Sequence, residues 1–245
     1  MNKVALVLGG NGGIGNSAVK RLVEDGFKVC TTYFKHKEKL KEMEIELGSN
    51  EISVFQCDVT NEDEVNKIIS NINSTFGEID VVVFAITSAL KNTRILKLDW
   101  GEYNSHFDIQ IKPMFFVMKA LSEQINAKYK TKFIVLLTEY CIGSPPKGLS
   151  NYVTSKYAAM GMAKTMAIEL SQYNSTVNMI SPGMVETPLL DSLPAKLIEL
   201  TSHQNPLSRN ALPDDVSSAI SFLASDQSNY LNGVNIVING GGIMQ

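Results

Sequence analysis

The sequence predicts an α/β fold: a doubly wound, seven-stranded parallel sheet with helices on both faces. Three observations lead to this prediction. Short runs rich in β-branched residues alternate along the chain with longer amphipathic segments. The run over 4–8 is apolar throughout, which is typical of a strand that is covered on both faces of a sheet. The longer segments supply the helical crossovers that parallel strands need.

The predicted elements follow one another in a regular order. The first strand covers 4–8, and the helix after it runs over 14–25, with Gly26 as the residue that ends it. Asn61, with Glu64 three residues later, forms a candidate capping box for the third helix. The remaining predicted strands are 27–33, 52–56, 80–86, 133–138, 176–180 and 234–238. The remaining predicted helices are 37–47, 99–121, 152–172 and 213–224.

Composition narrows the possible functions. No linker, composition break or internal repeat divides the chain, so we expect one domain over 1–245. The net charge of −3 at pH 7 argues against a nucleic-acid-binding protein, which normally presents a basic face. The histidines are isolated and the cysteines lack a Cys-x-x-Cys spacing, so we expect neither a metal site nor a disulfide framework. The apolar runs are far shorter than the roughly 20 residues that span a membrane, and a strand-like run follows Met1 at once, which indicates a cytoplasmic protein.

A glycine-rich turn separates the first predicted strand from the first predicted helix. It reads Gly-Gly-Asn-Gly-Gly-Ile-Gly over residues 9–15. Gly9 permits the tight turn, Gly13 lets a diphosphate approach the backbone, and Gly15 brings the helix close to the strand. The N-terminus of the helix then faces the phosphates. The turn therefore predicts a dinucleotide site.

A tyrosine and a lysine, Tyr152 and Lys156, lie four residues apart at the start of a long predicted helix. Residues at this spacing share a helix face, so the lysine ammonium can lie beside the phenol. A nearby positive charge lowers the pKa of a tyrosine from about 10, which makes the phenol a usable proton donor near neutral pH. Together with a dinucleotide, the pair predicts hydride transfer to or from a carbonyl group.

Seven motifs occur in a fixed order along the chain. They are the glycine turn, Asp58-Val59, Tyr152-x-x-x-Lys156, Ser181-Pro182-Gly183 with Thr187, 205–209, 222–226 and Asn239-Gly240-Gly241. In this order they resemble the short-chain dehydrogenase/reductase family, above all its 3-oxoacyl-carrier-protein reductase-like branch, from residue 3 to the end. The resemblance implies a Rossmann fold and an NADP(H)-dependent ketoreductase, commonly a homotetramer or homodimer. Its substrate would be a small carbonyl compound or an acyl thioester on a carrier protein.

The resemblance also implies roles for individual residues. Tyr152 would protonate the carbonyl oxygen, and Lys156 would hold the nicotinamide ribose and lower the pKa of the phenol. The other residues implied to bind the cofactor are Gly9, Asn11, Gly12, Gly13, Ile14, Gly15, Asp58, Val59, Ala85, Pro182, Gly183, Val185 and Thr187. Asp58 also has a purely structural interpretation, as the residue that ends its strand.

The choice of cofactor can be argued from charge. In a dinucleotide fold, an acidic residue at the end of the second strand accepts hydrogen bonds from the adenosine ribose and repels a 2′-phosphate. Tyr33 occupies that position here, and Lys35, His36 and Lys37 follow it. Cations without a carboxylate favour a phosphorylated cofactor, so we expect Tyr33 and Lys35 to contact NADP(H) rather than NAD(H).

Three positions depart from the family pattern. Glu139 replaces the serine expected thirteen residues before Tyr152, unless the loop slips by one residue and presents Thr138. Gln110 stands where the family has an active-site asparagine, and 84–87 reads Phe-Ala-Ile-Thr in place of Asn-Asn-Ala-Gly. A charged Glu139 would raise the pKa of Tyr152, and a protonated one could donate a hydrogen bond to the substrate oxygen. An outward-facing Glu139 would do neither.

Two functional hypotheses follow. The first is an NADPH-dependent ketoreductase in which Glu139 is a catalytic residue beside Tyr152 and Lys156. The second keeps the fold but performs non-redox acid–base chemistry such as dehydration or isomerisation, or has lost catalysis and serves as a binding or partner subunit. The intact Tyr152–Lys156 pair favours the first hypothesis, and the replaced serine and asparagine favour the second.

The segment 189–205 follows the sixth predicted strand and, by the resemblance, forms a lid over the substrate. Its apolar side chains could face a hydrophobic acyl or ring group, or the segment could be a plain surface helix. The long helices around Phe115 and Met160 are apolar on more than one side. This pattern favours the oligomer that the resemblance implies, and core packing explains part of it.

Overall fold

The computed structural model describes residues 3–244 and confirms the predicted parallel sheet. The strands of the described residues are β1 (Val4–Leu8), β2 (Lys28–Tyr33), β3 (Ile52–Gln56), β4 (Ile79–Phe84), β5 (Lys132–Leu136), β6 (Thr176–Pro182) and β7 (Asn235–Ile238). They pair in parallel in the order β3-β2-β1-β4-β5-β6-β7. The connections that follow β1 and β4 leave in opposite directions, which opens a crevice at the carboxyl ends of these strands.

Side chains alternate between the two faces of the sheet and build two apolar cores. In β1, Leu6 belongs to one core, whereas Ala5 and Val7 belong to the other. All three side chains are almost fully buried. Burial on both faces explains why β1 is apolar throughout rather than alternating in polarity.

Helices cover both faces of the sheet. In the described region they are α1 (Gly13–Glu24), α2 (Glu38–Leu47), α3 (Glu62–Phe76), α4 (Trp100–Ala120), α5 (Ser122–Asn126), α6 (Ser150–Ser171), α7 (Ala195–Gln204) and α8 (Pro213–Ala224). Helices α3, α4 and α6 pack on the face of Leu6, and α1, α2 and α8 pack on the face of Val7. No helix within residues 3–244 has both the length and the apolar character that crossing a membrane requires.

The prediction for the start of α3 is half right. Asn61 is the N-cap, and its side chain accepts hydrogen bonds from the backbone N–H groups of Asp63 and Glu64, at 3.0 and 3.3 Å. The capping box is not closed, because the N–H of Asn61 donates to the carbonyl oxygen of Asp58. The Glu64 carboxylate accepts instead from the N–H of Asp58, at 2.7 Å. Glu64 therefore fixes the end of β3 against the start of α3.

Strand β5 ends at Leu136, two residues earlier than predicted. The N–H of Leu137 still donates to the carbonyl oxygen of Ile180, at 2.7 Å. Thr138 is extended and begins a turn of 3-10 helix over Glu139–Cys141. This turn decides which side chains of the segment face the crevice.

Candidate active site

The glycine turn brings three backbone segments into contact at the crevice. Gly9 has a φ of 92°, in the left-handed region that favours glycine. A Cβ on Gly13 would overlap the side chain of Thr187, and a Cβ on Gly15 would overlap the carbonyl oxygen of Gly9. The turn, α1 and the segment after β6 therefore approach one another as closely as a backbone without side chains permits, which suits a nucleotide cradle.

The N-terminus of α1 opens onto this turn. Its N-cap is Gly12, no side chain of the described residues caps it, and its first turn carries no acidic residue. The Asn11 amide donates to the carbonyl oxygen of His36 at 3.1 Å, while its buried Oδ1 has no hydrogen-bond partner within residues 3–244. Free backbone N–H groups and the positive end of the helix dipole favour an anion. This end of the crevice fits the diphosphate of a dinucleotide.

A cleft of about 580 Å³, which we call the long cleft, extends from the glycine turn to Tyr152 and Lys156. The predicted cofactor-binding residues that line it are Gly9, Asn11, Gly12, Gly13, Ile14, Ala85, Tyr152, Lys156 and Thr187. Lys39, which the sequence analysis did not single out, lines it as well. Lys39 is the second residue of α2 and belongs to a lysine-rich run that the sequence alone suggests is a solvated helix start.

The remaining predicted cofactor-binding residues near the glycine turn do not line the long cleft; they are Gly15, Tyr33, Lys35, Asp58 and Val59. The Asp58 carboxylate accepts hydrogen bonds from the backbone N–H and the hydroxyl of Thr60, at 2.9 and 2.6 Å. Val59 is buried in the core. The ammonium of Lys35 lies 5.3 Å from the ring centre of Phe34. Asp58 therefore stabilises the turn after β3, Val59 packs in the core, and Lys35 lies at the surface.

Lys156 is buried and held by two hydrogen bonds. Its Nζ donates to Oε1 of Gln110 at 2.8 Å and to the carbonyl oxygen of Leu136 at 2.7 Å. The amide nitrogen of Gln110 donates in turn to the carbonyl oxygen of Ile86, at 2.8 Å. Gln110 thus ties the lysine to the segment after β4. Burial lowers the pKa of Lys156 to about 7.

Tyr152 is also buried, and its surroundings correct the prediction that Lys156 acidifies it. Burial raises the pKa of Tyr152, and a hydrogen bond with the Thr138 side chain opposes that rise. The Lys156 ammonium lies 5.9 Å from the centre of the phenol ring, and its hydrogens point to Gln110 and Leu136. Burial dominates the shift, so the tyrosine keeps its proton at neutral pH.

Thr138, and not Glu139, is the residue that hydrogen-bonds with Tyr152. Thr138 is 5% exposed and lines the same chamber as the tyrosine. Glu139 faces a different cavity, where its Oε2 accepts a hydrogen bond from the amide of Asn239 at 3.1 Å. Burial raises the pKa of the Glu139 carboxyl. The 3-10 turn produces the slip by one residue that the sequence left open.

Two further cavities meet the turn after β5. The first, which we call the apolar chamber, has a volume of about 100 Å³ and adjoins the long cleft at Tyr152. It is lined by Ile14, Leu90, Leu137, Thr138, Tyr140, Leu149, Tyr152, Pro182, Gly183, Met184, Val185, Thr187, Leu189, Leu190 and Leu193. The second, which we call the polar cavity, has a volume of about 250 Å³ and includes Glu139, Asn205, Arg209, Asp215 and Asn239 in its lining.

His106 is a buried neighbour of Tyr152 that the sequence analysis missed. It lies one turn before Gln110 on α4, and its ring meets the tyrosine ring edge-on with centres 6.3 Å apart. Burial lowers its pKa, and its Nδ1 has no hydrogen-bond partner within the described chain. His106 and Gln110 repeat the four-residue spacing of Tyr152 and Lys156 on the facing helix. This matched spacing could have identified His106 as a candidate site residue from the sequence.

Comparisons with known proteins agree with this geometry. A model of a family described as enoyl-(acyl carrier protein) reductase matches residues 9–242. The chain is 32% identical over 245 residues to the 3-oxoacyl-[acyl-carrier-protein] reductase FabG of Staphylococcus epidermidis, covering 98% of this chain and 99% of that protein. It is 31% identical over 253 residues to zerumbone synthase of Zingiber zerumbet, covering 98% of this chain and 94% of that protein.

Solved structures show the same architecture. A short-chain dehydrogenase/reductase from Brucella melitensis superimposes with a TM-score of 0.92 at 24% identity, covering 100% of this chain and 98% of that chain, which is a likeness of fold. ElxO with NADP bound superimposes with a TM-score of 0.89 at 27% identity and 100% coverage of both chains. With relatives above 30% identity along almost its whole length, this chain belongs to the short-chain dehydrogenase/reductase family.

Proposed function

We propose that this chain is an NADP(H)-dependent oxidoreductase that reduces a ketone or β-ketoacyl carbonyl to an alcohol. The main support for this proposal is that two cavities meet at one candidate proton donor, Tyr152. Tyr152 lines both the long cleft, which fits a dinucleotide, and the apolar chamber, which has room for a second small molecule. Two reactants that enter from the two sides would meet at its phenol.

The cofactor assignment rests on the shape and charge of the long cleft. Gly9, Gly12 and Gly13 would hold the diphosphate against the N-terminus of α1, with Thr187 closing the other side. Lys39 is a cation in the cleft lining that could pair with a 2′-phosphate. The names of the relatives point the same way, because ElxO is described with NADP bound. When bound, the nicotinamide nucleotide supplies the hydride.

The residues of the chain handle the proton. Tyr152 keeps its proton at neutral pH because burial raises its pKa, and it would donate that proton to the carbonyl oxygen of the substrate. The hydrogen bond with Thr138 stabilises the negative charge that the phenol oxygen then carries. Lys156, held by Gln110 and Leu136, provides a buried group with a pKa of about 7 near the same ring.

Thr138 takes the role in this proposal that the sequence analysis gave to Glu139. The carboxylate of Glu139 is bonded to Asn239 in the polar cavity. Non-redox chemistry through a Glu139–Tyr152 pair would require the two side chains to meet in one cavity, and they line different ones. The contacts of Glu139 therefore support the reductase over the dehydratase or isomerase.

The surroundings of the site fit the same proposal. The lid over 189–205 would comprise the end of the 3-10 turn Pro188–Ser192 and helix α7, and Leu189, Leu190 and Leu193 of this segment line the apolar chamber. One domain over 1–245 stays our prediction, as does a homotetramer or homodimer. Phe115 on α4 and Ile168 on α6 are 44% and 77% exposed, which supports assembly through these helices.

The test is a reduction assay with NADPH or NADH and a panel of β-ketoacyl thioesters and simple ketones, followed by nucleotide absorbance. We expect faster oxidation of NADPH than of NADH. Tyr152→Phe should lower kcat by about 10²–10⁴-fold, the range for loss of a general acid, while NADPH affinity measured by fluorescence titration is kept. Intact NADPH binding with no oxidation by any substrate would refute the reductase.

A further inference from the structure

The lining of the apolar chamber restricts what can stand beside the reacting carbonyl. We infer, resting on the proposed function, that the chain acts on ketones whose flanking group is uncharged and apolar, and that it discriminates against keto acids whose carboxylate is one carbon away from the carbonyl. The inference concerns this small chamber and not the nucleotide cleft. Two features carry it: the side chains that form the wall of the chamber, and the groups with which the neighbouring cations are already paired.

The wall of the apolar chamber is almost entirely hydrocarbon. Its carbon-rich members come from six separate segments: Ile14; Leu90; Leu137; Leu149; Pro182, Met184 and Val185; and Leu189, Leu190 and Leu193. Among the described residues that line it, none carries a charge. Apolar groups gain roughly 25 cal/mol for each Å² of surface that they remove from water, so such a wall favours an alkyl or ring substituent.

The polar groups of the chamber are hydroxyls that are already engaged or needed for the reaction. Thr138 bonds with Tyr152, the proposed proton donor. The hydroxyl of Thr187 donates to the carbonyl oxygen of Val185 at 3.3 Å. Burial raises the pKa of Tyr140, which keeps that phenol neutral as well. These groups suit one carbonyl oxygen, and they offer no counter-charge for a second, ionised group.

Two cations in the neighbouring cavities are bonded to other groups. The ammonium of Lys156 is bonded to Gln110 and Leu136 and lines the long cleft. The guanidinium of Arg209 lies in the polar cavity and forms a two-bond pair with Asp215, at 2.6 and 2.9 Å. A carboxylate in the apolar chamber would lose its hydration without gaining an ion pair, which is strongly unfavourable.

The direct test compares two molecules of the same shape. In 4-methyl-2-pentanone an isopropyl group stands where acetoacetate has its carboxylate. Their dissociation constants are measured by ligand-observed NMR titration of the wild-type chain with NADP⁺ present. We expect the ketone to bind at least about tenfold more tightly than the acid, the scale on which one unfavourable pocket contact discriminates. Equal or tighter binding of acetoacetate, or no binding of the ketone, overturns the inference.

A charge placed in the wall gives a second test. Leu190 is partly exposed on the 3-10 turn, so Leu190→Arg should fold and should supply the missing cation. Leu197→Arg is the matched control, because Leu197 is 44% exposed on α7 and does not line the chamber. We expect the affinity ratio of acetoacetate to ketone to rise at least about tenfold in Leu190→Arg and to stay at the wild-type value in Leu197→Arg.

The outcomes separate this inference from the proposed function. A preference for the ketone in binding, with no turnover of any carbonyl, would keep the inference and refute the reductase. Turnover of keto acids as fast as neutral ketones would keep the reductase and refute the inference. An identical rise of the ratio in both arginine variants would also refute it, because the effect would then come from general surface charge.

Discussion

The apolar chamber and the polar cavity both meet the turn after β5, and they differ in the charged and amide groups of their linings. The apolar chamber holds hydroxyl groups in a hydrocarbon wall, with Thr138 bonded to Tyr152. The polar cavity holds amides and ions, with Glu139 bonded to Asn239. Both cavities include Gly183 and Met184 in their lining, so they are direct neighbours.

This contrast shows how two adjacent residues come to have different roles. A 3-10 helix has about three residues per turn, so neighbouring side chains on it point in widely different directions. Thr138 begins such a turn and Glu139 is its first member. The hydroxyl therefore faces the proposed proton donor, and the carboxylate faces the strand ends of β6 and β7. We assign the chemistry to the apolar chamber, which Thr138 faces, and the anchoring of loops to the polar cavity, which Glu139 faces.

The largest effect is expected on the side of the apolar chamber. Thr138→Val removes the hydrogen bond to the phenol oxygen while keeping the size of the side chain. Hydrogen bonds to charged groups contribute about 1.5–3 kcal/mol, so kcat for ketone reduction should fall about 10–100-fold. Steady-state kinetics with NADPH check this. Thr138→Ser keeps the hydroxyl and should restore most of the rate; an equally slow serine variant would mean that packing and not the hydroxyl matters.

A smaller effect, on stability rather than rate, is expected on the side of the polar cavity. Burial raises the pKa of Glu139, so the folded chain holds a proton there in a pH range where the unfolded chain has lost it. The stability that this proton brings is fully present below the ordinary glutamate pKa of about 4.3 and is lost as the pH rises through the raised value.

Glu139→Gln tests this prediction, because the glutamine side chain cannot ionise. Its Tm relative to wild type should therefore increase from pH 4 towards pH 7, as measured by thermal unfolding. A Tm difference that is constant or falls with pH would mean that the carboxylate is not desolvated.

The sequence predicted the fold well because periodicity and composition decide it. Both ends of β1 were predicted correctly, since a buried parallel strand is apolar along its whole length. Both ends of the edge strand β3 were also predicted correctly. Helix α8 was also predicted over its full range, because Pro213 marks its first residue. Strand β5 was predicted too long because Leu137 and Thr138 continue the apolar pattern after the chain has left the sheet.

The candidate site was less predictable, because it depends on the directions in which side chains point, and the spacing of residues along the sequence does not specify these directions. Counting back from Tyr152 selects Glu139, and only the turn geometry selects Thr138. The net shift of the phenol pKa was predicted with the wrong sign, since the sequence could not say that burial would dominate. Asp58 carried a family motif and proved to cap a local turn through Thr60.

The most direct test of the division between the two cavities is a double-mutant cycle on kcat. It combines Tyr152→Phe with Thr138→Val and, separately, Tyr152→Phe with Glu139→Gln. Because Thr138 acts through the phenol oxygen, Thr138→Val should change the residual rate of the phenylalanine variant by no more than about twofold, within the scatter of additive effects. Glu139→Gln should have the same small effect in both backgrounds. A large loss for Glu139→Gln that disappears in the phenylalanine background would contradict our assignment, because it would place the carboxylate in the proton-transfer step.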